Sequence, residues 1–157
     1  MKRGTGFTLI ELMISLAILA ALAMVVVPVV QTQVQRAREQ QLQRALTEIR
    51  QAIDSYKRAG DEGRIAKVAG RSGYPPTLET LVEGVADQRD PKHRKIHFLR
   101  RVPPDPMRPE AAENAAAGWG KRSYDSEADD PQEGDDVYDV YSRSAGSGLN
   151  GVPYRLW

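Results

Sequence analysis

Two residues near the start of the chain, Gly6 and Glu11, have the chemistry to act. A peptidase cleft needs an extended backbone with little side chain at the bond it cuts, and glycine supplies both. Glu11 is the only charge in a 24-residue apolar run, residues 7–30. An unpaired carboxylate in the hydrocarbon core of a membrane costs on the order of 2.5–3.5 kcal/mol, so this one needs a partner.

The element that positions Glu11 is the run itself. At ~1.5 Å per helical residue it is about 36 Å long, enough to cross a ~30 Å hydrocarbon layer with some tilt. Lys2 and Arg3 precede it and hold the N-terminus on the cytoplasmic side. The expectation is a single-pass membrane protein with the remainder outside. An ordinary secretory signal would put the small residue after the apolar segment, not before it.

Beyond residue 30 the sequence turns polar and helix-prone. Apolar residues recur at Leu42, Leu46, Ile49, Ile53 and Tyr56, with Ala45 and Ala52 widening the stripe. That is the spacing of one helical face. Gly60 is expected to end the helix. A single helix of roughly 50 residues, about 75–80 Å, therefore leads from the membrane into a globular head. Pro28 removes one backbone donor and crowds the Met24 carbonyl, which favours a kink or a local break.

The 157 residues leave room for one small domain outside the membrane, and they contain no cysteine. In an oxidising space packing alone must then hold the fold. The formal net charge of +1 is unevenly spread. Residues 31–101 carry 15 Lys/Arg against 9 Asp/Glu, and residues 102–157 carry 5 against 11. Two solvated faces of one domain, or patches that meet between neighbouring subunits, would each account for this.

Residues 60–73 read as a loop. Thr77 is a candidate N-cap and Gly84 a candidate end for a short helix. Residues 107–118 read as a loop or one weak helical turn. Residues 119–124, 137–142 and 152–157 are three candidate strands, with an acidic exposed loop between the first two. The fold class expected is α+β: a long N-terminal membrane-spanning helix whose second half packs on a small antiparallel sheet.

Gly6 followed by Phe7-Thr8-Leu9-Ile10-Glu11 and a long apolar helix resembles the signal of type IV pilins and type II secretion pseudopilins. Residues 98–106, Phe98-Leu99-Arg100-Arg101-Val102-Pro103-Pro104-Asp105-Pro106, resemble the aromatic-Leu-basic-basic-apolar-Pro-x-Asp-Pro stretch of the major secretion pseudopilins, and Tyr74-Pro75 has a counterpart there. The resemblance implies the pilin fold and cleavage between Gly6 and Phe7 by a prepilin peptidase. Phe7 would then be the N-methylated terminus, a methylphenylalanine. It implies a division into a leader (residues 1–6), a transmembrane and filament-core helix (7–30), its amphipathic continuation (31–59) and a periplasmic head (60–157).

The implied role is structural. The chain would be a subunit of the secretion pseudopilus, anchored in the bacterial inner membrane until it assembles with copies of itself. Glu11 would neutralise the amine of a neighbouring subunit, and Pro28 would belong to the same assembly helix. The implied partners are minor pseudopilins, an inner-membrane platform protein, an assembly ATPase and a secretin. A type IV or DNA-uptake pilin is the alternative. Many such pilins carry a C-terminal disulfide, which a chain without cysteine cannot form.

In major pseudopilins calcium sits in the loop after an Asp-Val-aromatic-Ser strand. The corresponding loop here, residues 143–151, has no acid at all, although Asp125, Glu127, Asp129, Asp130, Glu133, Asp135, Asp136 and Asp139 lie before it. Calcium stays open against that departure; no other cofactor is expected and no metal ligands are assigned. His93 and His97 lie four apart in a basic, surface-like segment and read as loop histidines. That segment lacks the aromatic platform or groove-reading helix of a nucleic-acid site, and no nucleic-acid partner is expected. No nucleophile motif, phosphate loop or triad pattern is present, and Ser142 and Ser144 beside His97 do not make one. No enzymatic activity is expected.

Overall fold

The computed structural model describes residues 8–68 and 70–157. Helix α1 (Leu9–Asp61) is continuous, so the backbone stays helical through position 28 and the local break favoured by Pro28 does not form. The chain divides into two compact units, Met1–Ala37 and Arg38–Trp157, and α1 contributes to both.

In the C-terminal unit the helical stripe behaves as its period predicts. Leu42, Leu46, Ile49 and Ile53 are buried together with Ala45 and Ala52, and Tyr56 is partly buried against them. Each fully buried Leu or Ile contributes roughly 1.5–3 kcal/mol. The helix ends later than Gly60, which is itself helical. Gly63 takes the left-handed conformation at φ 71°. Its N–H donates to the Gly60 carbonyl at 3.0 Å, and the Arg64 N–H donates to Ala59 O at 2.8 Å. This pair of reversed bonds is a Schellman cap, which calls for glycine at the position of positive φ. The true stop signal is thus the second glycine of the segment.

Thr77 caps α2 (Leu78–Glu83), its Oγ1 accepting the Thr80 N–H at 3.3 Å, and Gly84 ends the helix. Leu78 and Leu81 point into the core. Two ladders follow instead of one three-stranded sheet. Strands β1 (Val85–Ala86) and β2 (Lys95–Ile96) pair antiparallel, Val85 opposite Ile96. Two-residue strands have no alternation to detect, so periodicity could not reveal them. A 3₁₀ turn (Pro109–Asn114) and a one-turn helix α3 (Ala115–Gly118) lead into β3 (Trp119–Arg122), which pairs with β4 (Asp139–Ser142).

The register sets Gly120 opposite Tyr141. A Cβ at Gly120 would come within 2.3 Å of the Tyr141 ring, so the glycine lets the aromatic ring lie across the neighbouring strand. The third expected strand, residues 152–157, is not one. Only a single bridge, Ser147 to Pro153, forms there, and Tyr154–Leu156 is a 3₁₀ turn. Pro153 has no N–H to extend a ladder. Tyr154 is buried instead, with Trp157 edge-on to it at 5.3 Å.

Trp119, Val137, Val140, Leu99, Ala116 and Tyr154 join the α1 stripe and α2 in one hydrophobic core. Among the described residues, no buried side-chain nitrogen or oxygen lacks a hydrogen-bond partner.

Candidate processing and assembly site

Gly6 and Phe7 lie outside the described residues; Glu11 lies within them. Thr8 and Glu11 form a reciprocal cap on the start of α1. The Glu11 N–H donates to Thr8 Oγ1 at 3.3 Å, while Glu11 Oε2 accepts the Thr8 N–H at 2.8 Å and its O–H at 2.9 Å. This is a capping box, Thr-x-x-Glu, which satisfies two of the helix's orphan donors. It was legible in Thr8-Leu9-Ile10-Glu11, but the resemblance drew attention to the carboxylate alone. Ser15 Oγ donates to the Glu11 carbonyl at 2.7 Å, so its hydroxyl is met within the apolar segment.

Around this cap the helix is apolar on all sides. Leu9, Ile10, Leu12, Met13, Ile14, Leu16, and further along Val29 and Val30, are each more than half exposed. A continuous apolar surface of this extent is not tolerated by a monomer in water. The helix is long and apolar enough to cross a membrane, and it fits a single-pass anchor.

The two segments that resemble pseudopilins meet in the core of the C-terminal unit. Asp105, at the end of residues 98–106, is 2% exposed. Its Oδ2 accepts the Ser142 O–H at 2.6 Å and its Oδ1 the Met107 N–H at 2.8 Å. The Trp119 indole N–H donates to Pro103 O at 2.8 Å. Asp139, at the start of the same strand as Ser142, accepts from Arg50 Nε at 2.7 Å. Arg50 Nη2 also donates to Val140 O at 3.1 Å and to Trp157 O at 2.8 Å, tying the end of the chain to α1. Pro75, the counterpart of the Tyr74-Pro75 motif, is buried and its carbonyl accepts the Val137 N–H at 2.8 Å. These motif residues hold backbone and strands together.

The candidate metal residues do not converge. Glu133 pairs with Arg143, Asp136 accepts from Ser72 and from the Tyr124 N–H, and Asp139 faces Arg50 and Arg122. Among the described residues, no group of three or more His, Cys, Asp or Glu could hold a metal ion. His93 lies in the β1–β2 connection and His97 just after β2, where its Nδ1 is 2.8 Å from Val82 O; the two share no helix face. The sequence reading missed Glu39. From α1 its Oε1 accepts the Leu149 N–H at 2.9 Å and the Tyr154 O–H at 3.0 Å, reaching the acid-free loop.

A capped apolar helix that continues into an α+β unit of this layout defines a pilin-like protein. A family model described as the prokaryotic N-terminal methylation motif matches residues 1–27. The type II secretion system core protein G of Vibrio cholerae is 31% identical over 109 residues, covering 68% of this chain and 67% of that protein. Its counterpart from Klebsiella pneumoniae is 31% identical over 110 residues, covering 68% and 71%. That from Pseudomonas aeruginosa is 32% identical over 109 residues, covering 67% and 69%. No solved structure matches the chain. The chain belongs to the family of type II secretion system core protein G, the major pseudopilin.

Proposed function

We propose that this chain is a structural subunit of a type II secretion pseudopilus. It is made as an inner-membrane precursor, cut between Gly6 and Phe7, methylated on Phe7 and packed into a filament through the apolar part of α1. The observation that carries this reading is the exposed apolar run of α1 with Glu11 as its single charge, on a chain of the core protein G family. Such a surface has two stable surroundings, lipid before assembly and other copies of the same helix after it. Extraction from one to the other exchanges apolar contact for apolar contact.

Glu11 gives the exchange its polarity. In the single chain its carboxylate is occupied by the Thr8 N–H and O–H. Cleavage creates an α-amine, with an ordinary pKa near 8, that is charged at neutral pH. In the filament the amine of one subunit meets the Glu11 of another, and each charge neutralises the other away from water. The C-terminal unit lies in the periplasm. Copies of this chain, the prepilin peptidase, minor pseudopilins, the platform protein, the assembly ATPase and the secretin are its partners.

Mass spectrometry of the membrane-extracted protein tests the processing: the mature chain begins at methylated Phe7, and a retained Met1 overturns the reading. Glu11→Ala leaves cleavage intact and reduces pseudopilus formation in an assembly assay. Assembly at the wild-type level would refute the pairing.

A further inference from the structure

The family implies calcium in the loop after β4, and the residues present do not fit it. Calcium takes six to eight oxygen ligands, with carboxylates among them. Residues 143–151 supply no carboxylate. Several of the oxygens around the loop accept hydrogen bonds from the loop and the turn that follows it. Gly146 O accepts the Tyr154 N–H at 3.1 Å and Gly148 O the Gly151 N–H at 2.9 Å. Asn150 Oδ1 accepts the Val152 N–H at 3.0 Å. Val152 O accepts both the Gly148 N–H at 2.8 Å and the Trp157 indole N–H at 3.3 Å.

The loop instead turns donors toward α1. The Leu149 N–H and the Tyr154 O–H both point at Glu39 Oε1, at 2.9 and 3.0 Å. A bound cation gathers a loop by its acceptors; an anion gathers it by its donors. We infer that the Glu39 carboxylate closes residues 143–154 onto helix α1 in place of a calcium ion, making this unit stable without the metal. The closure joins positions 110 and 115 residues apart, so it constrains the chain between them. It stands whichever filament the chain joins, because it concerns the fold of this unit alone.

Thermal unfolding of the full chain in detergent, followed by circular dichroism, tests it with calcium as the probe. The wild type melts at the same temperature in about 1 mM calcium, the range of extracellular modules, as in excess chelator. Glu39→Ala melts lower by roughly 4–8 °C even though alanine is the better helix former, and calcium does not restore it. Tyr154→Phe falls by less, and the double variant falls by less than the two single losses together. Should Glu39→Ala fail to fold, Glu39→Gln, which keeps an acceptor oxygen without the charge, carries the same comparison. A wild-type melting temperature raised by calcium, or a Glu39 variant that melts as the wild type does, overturns the inference.

Discussion

Asp105→Ala is the sharpest probe of how the C-terminal unit is held together. The carboxylate is buried and accepts two hydrogen bonds, from Ser142 Oγ at 2.6 Å and the Met107 N–H at 2.8 Å. Alanine strands both donors, and the Ser142 side chain is fully buried in the intact unit. Each stranded donor costs about 1–3 kcal/mol, while removing the carboxylate recovers part of its desolvation cost. A net loss of about 2–4 kcal/mol follows, a large fraction of the ~5–15 kcal/mol that holds a typical domain. It corresponds to a fall of roughly 6–20 °C in Tm for a unit of this size.

Asp105→Asn separates hydrogen bonding from charge. Its carbonyl can still accept the Met107 N–H, and its amide can donate to a rotated Ser142 hydroxyl, so the cost drops to about 1 kcal/mol. Urea unfolding of the full chain in detergent, followed by tryptophan fluorescence, gives each value, since Trp119 is buried beside Pro103 in the same segment. A double-mutant cycle with Ser142→Ala isolates the pair, with an expected coupling of about 1–2 kcal/mol. A loss below about 0.5 kcal/mol for Asp105→Ala, the range of ordinary surface changes, refutes the reasoning. An additive cycle refutes the pairing.

Arg50→Lys keeps the charge but not the fork that reaches Asp139, Val140 O and Trp157 O, and it destabilises the unit by about 1–2 kcal/mol in the same unfolding assay. The two glycines after the α1 stripe have opposite outcomes. Gly63→Ala places a side chain at φ 71° and costs about 1 kcal/mol, whereas Gly60→Ala, inside the helix and without a clash, stabilises by about 0.5–1 kcal/mol. Equal effects at the two positions would contradict the assigned cap. Stability also falls in acid. Asp61, Asp87 and Asp90 are held below the ordinary carboxylate pKa, chiefly by hydrogen bonds from Lys57, Arg64 and Arg94 respectively. Groups depressed in the folded state stabilise it above their unfolded pKa of about 4, and that contribution fades as pH drops further. Tm is therefore level from about pH 7 to 5 and declines below about pH 4; a rise on acidification would contradict the assignment.

Local patterns are legible where neighbours along the chain supply the signal. The stripe from Leu42 to Ile53 is buried, and Thr77 and Gly84 bound α2. Gly60 continues the helix and Gly63 caps it, because the cap requires a positive φ that sequence spacing does not report. Residues 152–157 read as a strand, yet Pro153 offers no donor and the Tyr154 ring goes into the core.

By itself the sequence determined the apolar helix, its single acid and the processing motif, since each is written in consecutive residues and governed by a helical period or a transfer energy. Only the tertiary structure decided what the scattered polar residues do. Asp105 meets Ser142, Arg50 meets Trp157 and Glu39 meets Tyr154 across 37, 107 and 115 positions. Such pairs have no period, because they depend on which segments the core brings within hydrogen-bond reach of one another's side chains. The acid-free loop shows the difference. Its composition names no partner, but the fold brings the Glu39 carboxylate of helix α1 to the Leu149 N–H and the Tyr154 O–H.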